Sequence, residues 1–442
     1  MNRIRRAWSA GVVALCLLVA GASTAQAGTS DAEYGRQVDR LVSRVSSMDP
    51  ARGSVPGYAV LRNGRFVSIR NDNRAMLPAS LQKLLTTTAA MIKFGPDARF
   101  ATRVVAAAPI QAGVVDGSIT LVGGGDPTFS TQSFTGRYRR DSPSGKVSAV
   151  SFVPTVELLA DGLVRLGLKT VGGDLIADES IFDSNRWQRG WQSSYQQGDI
   201  DVGNLSGLTV NLGLGDPQGK TVASSPALLA TTYLRDALKA RGVTIAGAIR
   251  MGRAPQNPVE ITRITSSSLR EIVGWTNRWS VNYPAEMMLK GLGARFGGAG
   301  TTVAGVSVLK AALASKRIDV RNIVVEDGSG LSLLNRVSPR VLATVLRLML
   351  SMTDAAGTAL RNSLPVAGRA GSLLYRMTEA PTGGNLRGKT GLVKGVRALA
   401  GWVTTRDGAV ATYVALYNNV KNPAAMTPVH DTFGRGLAKI PA

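Results

Sequence analysis

The sequence predicts an α+β protein in which one antiparallel sheet, flanked by helices, is assembled from both ends of the chain. Three observations carry that expectation. Period-two alternation over residues 57–69 turns around Asn63-Gly64, a dipeptide favoured in two-residue hairpins. Strand patterns return near the C-terminus, where residues 389–400 are strand-like and 401–405 read as pairing with 409–417 across Arg406-Asp407-Gly408. Between the two ends the texture changes, because from about residue 100 to 263 the chain breaks into short strand-like pieces, glycine turns and two helical patterns.

Taken in order, Leu81, Leu84, Leu85, Ala89 and Ile92 follow Pro78-Ala79-Ser80 at helical spacing until Gly95-Pro96 stops the run. Ser80 therefore falls at or near a helix N-terminus. The two helical patterns of the middle segment cover 156–166 and 227–241, while 131–147 is polar, basic and aperiodic and reads as a mobile loop. Helical spacing resumes over 268–296, 303–314 and 339–352. No internal repeat is evident. The expected division is an export signal at 1–27, a catalytic domain in two parts at 28–100 and 265–442, and an inserted mainly-β or mixed domain at 101–264.

Arg3, Arg5 and Arg6 precede an apolar run over residues 12–20, and Ala25-Gln26-Ala27 offers small residues where a signal peptidase cuts. The only cysteine, Cys16, leaves with that run, so the mature chain carries neither a disulfide nor a thiol for a lipid anchor. The best later candidate for a membrane span, 341–352, is short and holds Arg347. A soluble protein is expected, exported to a periplasm or to the cell wall and medium, with no transmembrane anchor.

The formal charge of +23 falls to +20 once the three leader arginines are removed. Its 52 Lys and Arg are dispersed among only 5% aromatic residues, which argues against nucleic acid as a partner. Two readings stay open: attraction to anionic envelope polymers, or a basic surface without a specific partner.

Chemistry concentrates in three motifs: Ser80-Leu81-Gln82-Lys83, Ser280-Val281-Asn282 and Lys389-Thr390-Gly391. On a helix, positions i and i+3 share a face, so the Lys83 amine reaches the Ser80 hydroxyl. Lysine acts as a base only when burial and a neighbouring cation lower its pKa, and Lys389 is the candidate cation. A helix start at Ser80 also lends backbone N–H groups to an oxyanion. Each motif alone has an ordinary reading, as a helix cap, a turn or a solvated lysine. Their joint occurrence, in order, points to acyl transfer without histidine, since His430 is the single histidine.

The third motif has a rival, because residues 383–390 fit the phosphate-loop pattern Gly-x4-Gly-Lys-Thr. Such a loop needs a buried strand before it and a helix starting at the lysine, whereas the flanks here are polar with a proline before and strand-like after. One histidine and no mature cysteine leave only carboxylates as strong ligands, so neither a metal nor a cofactor is expected.

The ordered trio resembles the penicillin-recognising serine enzymes of the β-lactamase/transpeptidase-like fold. Wider matches at 77–86, Gly123-Gly124-Gly125-Asp126-Pro127, Asp327-Gly328-Ser329-Gly330-Leu331-Ser332 and Leu364-Pro365-Val366-Ala367-Gly368 are similar to the D-alanyl-D-alanine carboxypeptidase/endopeptidase family, the class C low-molecular-mass penicillin-binding proteins. That resemblance implies a serine DD-carboxypeptidase with endopeptidase activity, acting on peptidoglycan stem peptides and acylated by β-lactams. It implies Ser80 as nucleophile, Lys83 as its base, and Ser280 with Lys389 as a proton relay. Asn282 would hold the substrate amide, Lys389 and Thr390 of the Lys389-Thr390-Gly391 motif the terminal carboxylate, and the Ser80 and Leu392 N–H groups the oxyanion. Asp178 matches an inserted-domain acid that meets the amine of a peptidoglycan diamino acid, and reads equally as a loop-start aspartate. The 200 positions from Ser80 to Ser280 are few for members with two inserted domains. Two departures stand out: Leu392 replaces a Thr or Ser, and Leu333 replaces an arginine. A β-lactamase and a non-catalytic wall-binding protein are the alternatives.

Overall fold

The structure, a computed structural model, describes residues 30–138 and 150–440. The expected export signal and most of the expected loop at 131–147 lie outside the described residues. The part of that loop that is described is a 3-10 turn, Gln132–Tyr138.

Helix α1 (Asp31–Ser46) opens the described chain, its N-terminus capped by Ser30. Strands β1 (Val55–Arg62) and β2 (Arg65–Arg70) form the predicted hairpin, with Asn63 (φ 47°) and Gly64 (φ 84°) supplying the two positive φ angles of its turn. Helix α2 (Gln82–Phe94) follows a 3-10 turn that contains Ser80.

The middle segment holds β3 (Ala101–Ala106), β4 (Val114–Val115), β5 (Ile119–Val122), α3 (Val156–Arg165), β6 (Thr170–Val171), β7 (Leu175–Asp178), α4 (Pro226–Lys239), β8 (Thr244–Ile245), β9 (Ile249–Met251) and β10 (Val259–Thr265). These strands make a five-stranded sheet in the order β10-β3-β5-β7-β9 and a parallel three-stranded sheet in the order β4-β6-β8. Helices α3 and α4 pack together on the larger sheet over their own apolar core.

This arrangement overturns the expectation of no internal repeat. Three units, 114–122, 170–178 and 244–251, each run short strand, glycine, second strand, with Gly117, Gly173 and Gly247 at the same place. The glycines are stacked: a Cβ on Gly247 would lie 2.6 Å from the Gly173 carbonyl oxygen, and one on Gly173 2.7 Å from Gly117. Units this short share little beyond that glycine, which is why the pattern is faint in one dimension.

Beyond it come α5 (Leu269–Trp279), α6 (Asn282–Phe296), α7 (Thr302–Ala314), α8 (Pro339–Ser351) and α9 (Ala355–Asn362). The helical spacing over 268–296 is thus two helices, broken where Ser280 turns left-handed (φ 60°, ψ 31°). Strands β11 (Arg387–Val393), β12 (Val396–Thr404) and β13 (Val410–Asn418) and helix α10 (Thr427–Lys439) complete the chain. What reads as one strand over 389–400 is a hairpin turning at Lys394-Gly395.

The main sheet has the order β11-β12-β13-β1-β2, so β13 pairs with β1 and joins the two chain ends as predicted. Both faces are covered, and the strands alternate accordingly. On β13, Val414 and Leu416 face the core of α2, α7 and α8, whereas Tyr413, Ala415 and Tyr417 face α1 and α10. Helix α2 is buried on nearly all sides, packed by α5, α6, α7 and α8. Helices α1, α9 and α10 go beyond the sequence expectation. In α10 the glycines at 434 and 436 weaken the helical pattern, and packing of Val429, Phe433 and Leu437 against the sheet supplies what propensity does not.

Candidate active site

Ser80 lies in the 3-10 turn Ala79–Leu81 that leads into α2, preceded by Ala79 at φ 50°, a conformation uncommon for a residue with a Cβ. The fold holds this turn from two sides. Gly391 brings the edge strand β11 against it, since a Cβ there would lie 3.2 Å from that of Ala79. Gly330, at φ 88°, lets the 327–330 turn approach the Ala79 carbonyl from the other side.

Lys83, one turn into α2, is fully buried, with Nζ 2.9 Å from Ser80 Oγ, 2.7 Å from Asn282 Oδ1 and 2.7 Å from the Ser329 carbonyl oxygen. The last two partners only accept hydrogen bonds. A neutral amine donates two N–H bonds and keeps one lone pair, so with both donors spent the lone pair faces the Ser80 hydroxyl. Burial lowers the Lys83 pKa to about 7, against an opposing pull from the carboxylates of Asp327, Glu286 and Asp201.

Ser280 ends α5 and Asn282 begins α6, so the break between the two helices projects both side chains toward Lys83 and β11. Asn282 Nδ2 donates to the Asp201 carbonyl at 3.0 Å. Lys389, fully buried on β11, donates to Ser280 Oγ and to the Thr390 carbonyl, both at 2.7 Å. Its pKa is pushed well below the usual lysine value by burial and then by Lys83. No helix starts at Lys389, so the phosphate-loop reading is not met.

The hairpin also decides which backbone groups face the cleft. Val393 and Val396 flank a two-residue turn and form a hydrogen-bonded pair, so by alternation the N–H groups of Gly388, Thr390 and Leu392 point to the outer edge. The first of these donates to the Pro365 carbonyl. The Leu392 N–H is left toward the Ser80 turn, and its side chain is 51% exposed. Thr390 Oγ1 lies 2.8 Å from Ser372 Oγ.

Ser80, Ser280, Asn282, Thr390 and Leu392 open onto one cleft of about 740 Å³. Asp178 does not join them. It lines a separate cavity of about 800 Å³ beside Phe94 and Phe296, and its two oxygens accept from the Ser180 and Ala254 N–H groups. The loop-start reading accounts for it. The acid from the middle segment that lines the cleft is Asp201, next to Tyr195, and burial raises the pKa of both.

Other groups at the cleft were not expected. Glu286, on α6 one turn after Asn282, accepts from the Ser329 N–H at 2.7 Å and the Gly328 N–H at 3.1 Å and so holds the carbonyl that receives Lys83. Burial, then the nearby Asp327, pushes the Glu286 pKa up. Asp327 itself accepts from the Gly330 and Ser332 N–H groups and from Trp191 Nε1. Arg376 and Arg397 line the far end. An acid within the apolar spacing of α6, and an arginine within Val396-Arg397-Ala398-Leu399, are the only sequence marks that single these residues out. His430 is buried on α10 and is not among the cleft residues.

A buried Ser-Lys pair at the start of a core helix, beside the free edge of an antiparallel sheet, is the architecture of the penicillin-binding peptidases. The D-Ala-D-Ala carboxypeptidase 3 (S13) family profile matches residues 46–214 and 215–433, and the chain belongs to that family of peptidases. It is 29% identical to a D-alanyl-D-alanine carboxypeptidase from Actinomadura sp., covering 96% of this chain and 88% of that one. It is 32% identical to the carboxypeptidase DacB of Mycolicibacterium smegmatis, covering 80% and 74%. Penicillin binding protein 4 (dacB) from Haemophilus influenzae superposes with a TM-score of 0.75 at 20% identity over 91% of this chain and 99% of that one. A second structure of that protein, complexed with a novel β-lactam, gives 0.69 at 21% identity over 91% and 98%.

Among the described residues no group of three or more His, Cys, Asp and Glu side chains is placed to hold a metal ion. No helix of the described residues is long and apolar enough to cross a membrane.

Proposed function

We propose that the protein is a serine-type D-Ala-D-Ala carboxypeptidase with DD-endopeptidase activity, acting on peptidoglycan stem peptides through a Ser80 acyl-enzyme and acylated by β-lactams. The observation that carries this reading is the placement of Lys83 Nζ 2.9 Å from Ser80 Oγ with two pure acceptors at 2.7 Å, so that the neutral amine, its two donors spent on them, has its lone pair left for the Ser80 hydroxyl.

In this reading Ser80 Oγ attacks the carbonyl of the penultimate D-alanine while its proton passes to Lys83 Nζ. The N–H groups of Ser80 and Leu392 stabilise the oxyanion. The carbon–nitrogen bond then breaks as the proton held by Lys83 is relayed through Ser280, hydrogen-bonded to Lys389, to the leaving amine, which returns Lys83 to its neutral form. Water cleaves the resulting ester, giving one proton back through Lys83 and regenerating Ser80. Asn282 orients the substrate amide, and Thr390 with Lys389 meets the terminal carboxylate, whose charge favours the ammonium form of that buried lysine. Asp201 supplies the acid for a stem-peptide amine that the sequence had suggested at Asp178. Residues 1–27 act as the export signal for a periplasm or outer wall, and 101–264 form one inserted unit whose 179–214 stretch walls the cleft.

A fluorescent penicillin is expected to label the protein covalently, with the adduct mapped by mass spectrometry to Ser80. A protein that stays unlabelled, or is labelled elsewhere, sets the mechanism aside. Release of the bound penicillin is expected to be slow. Glu286, behind the Ser329 carbonyl that receives Lys83, is buried with its oxygens on backbone N–H groups and presents no base to water at the ester. This separates the reading from a β-lactamase.

The pH dependence has a defined sign. The proton acceptor is neutral Lys83, whose share grows as pH rises past its lowered pKa of about 7. The kcat/KM for acylation is therefore expected to climb with pH and level off above about 7. A profile that is flat over roughly pH 5 to 9, or falls through neutrality, removes Lys83 as the base.

A further inference from the structure

The Asp327-Gly328-Ser329-Gly330-Leu331-Ser332 turn contributes no side chain to the acyl-transfer steps, yet its backbone reaches the base, since the Ser329 carbonyl takes one Lys83 donor at 2.7 Å. Asp327, fully buried, organises the turn. Its Oδ1 accepts from the Gly330 N–H at 2.8 Å and from Asn335 Nδ2 at 2.7 Å, and its Oδ2 from the Ser332 N–H at 2.6 Å. Those donors belong to the turn and the residues just after it. A further one, Trp191 Nε1 at 2.8 Å from Oδ2, comes from the middle segment, 136 positions earlier.

The same stretch braces the turn elsewhere. Ser332 Oγ donates to the Arg189 carbonyl at 2.6 Å, Tyr195 Oη to the Leu331 carbonyl at 3.1 Å, and the Leu333 N–H to the Gly190 carbonyl at 3.2 Å. Gly190 permits this approach, because a Cβ there would lie 2.5 Å from Ser332 Oγ. Of these contacts the indole bond is the one that ends on the carboxylate holding the turn. A buried carboxylate stripped of a donor must find another or shift, and Ser329 shifts with it. Trp191 itself is buried and is not among the residues lining the cleft.

We propose that Trp191 is a positioning residue for the acylation base: through Asp327, its indole N–H fixes the turn that presents the Ser329 carbonyl to Lys83, which makes the middle segment part of the catalytic scaffold. The inference rests on the acyl-transfer reading and deepens it, because a group outside both the three motifs and the cleft then sets where the base stands. Among the described residues, the charged side chains acting on Lys83 are Asp327, Glu286 from α6, Asp201 from the middle segment and Lys389 from β11. Burial lowers the Lys83 pKa, and of the acids opposing it Asp327 pulls hardest. The indole N–H offsets part of that carboxylate's charge. Losing it strengthens the pull, and a loosened turn admits water, so both effects move Lys83 back up.

Saturation kinetics of acylation by a penicillin test this, since they separate the acylation rate constant from binding, with thermal melts run alongside. Trp191→Phe keeps an aromatic ring but no donor. It is expected to lower the acylation rate constant about tenfold with little change in binding, and to move the rise through pH 7 to higher pH. Trp191→His, whose imidazole Nε2 occupies the ring position of the indole N–H, is expected to restore most of the rate. Trp187→Phe trims the ring packed against Trp191 at 5.0 Å, which gives Asp327 no hydrogen bond, and is expected to cost stability alone. A Trp191→Phe protein with the wild-type rate and pH midpoint overturns the role. So do Trp191→Phe and Trp187→Phe falling alike with no midpoint shift, which would leave the indole as packing only. If Trp191→Phe does not fold, Trp191→His decides, and a folded protein about tenfold slower than the wild type overturns the role as well. A wild type that penicillin leaves unlabelled refutes the acyl-transfer reading itself.

Discussion

Ser80→Ala is expected to lower kcat/KM on a D-Ala-D-Ala peptide by about 10⁴-fold or more and to abolish covalent penicillin labelling. The other hydroxyls near the cleft are committed: Ser280 Oγ receives Lys389 and Thr390 Oγ1 lies against Ser372. Neither has a lone pair of Lys83 directed at it. The fold should tolerate the change, since the lost hydroxyl makes one hydrogen bond and leaves no large cavity. Intact-mass measurement after incubation with a β-lactam and a thermal melt decide the matter together. Continued adduct formation by a folded Ser80→Ala protein would contradict the assignment.

Lys83→Met is expected to slow acylation by about 10²- to 10⁴-fold, the usual worth of a positioned base. Methionine fills much the same space but leaves Asn282 Oδ1 and the Ser329 carbonyl without their donor, at roughly 1–3 kcal/mol each where they stay dry. Some stability should therefore be lost along with rate. The distinguishing readout is the pH profile: the residual acylation should no longer rise through pH 7, because the group that titrates there is gone. A variant that keeps the wild-type slope places the base elsewhere.

How far these residues were legible in the sequence depended on whether their chemistry is local. Ser80 and Lys83 are three positions apart on one helix, so their contact follows from helical geometry. The hairpin at Asn63-Gly64 and the helices near 156, 227 and 339 were readable for the same reason, as period and turn chemistry act over a few residues. The hairpin at Lys394-Gly395 was hidden because Val393 and Val396 on either side are both apolar and buried, so the strand pattern runs through the turn. Breaking 268–296 at Ser280 needed a left-handed residue that serine does not announce.

The acids and arginines of the cleft were hidden differently. Asp178 and Asp201 are both aspartates in loop-rich stretches of the middle segment, and nothing local tells them apart. Only the course of the chain does so, sending the segment after β7 across the cleft and leaving Asp178 at a strand end among backbone donors. Glu286 and Asp327 became meaningful once α6 and the 327–330 turn were seen to meet behind Lys83. Arg397 likewise depends on register, since a one-residue slip of β12 would carry it to the opposite face.

By itself, the sequence determined the period of each main element, the meeting of the two chain ends in one sheet, and the order of three motifs whose side chains meet at one site. Those features depend on spacing along a chain. The tertiary structure decided which polar groups lie in the same cleft, how deeply Lys83 and Lys389 are desolvated, and that the cleft has an acidic and a basic wall. Those features depend on distance and burial, and residues 80, 201, 282, 329, 389 and 397 acquire them only when sheet, helices and middle segment close on one another.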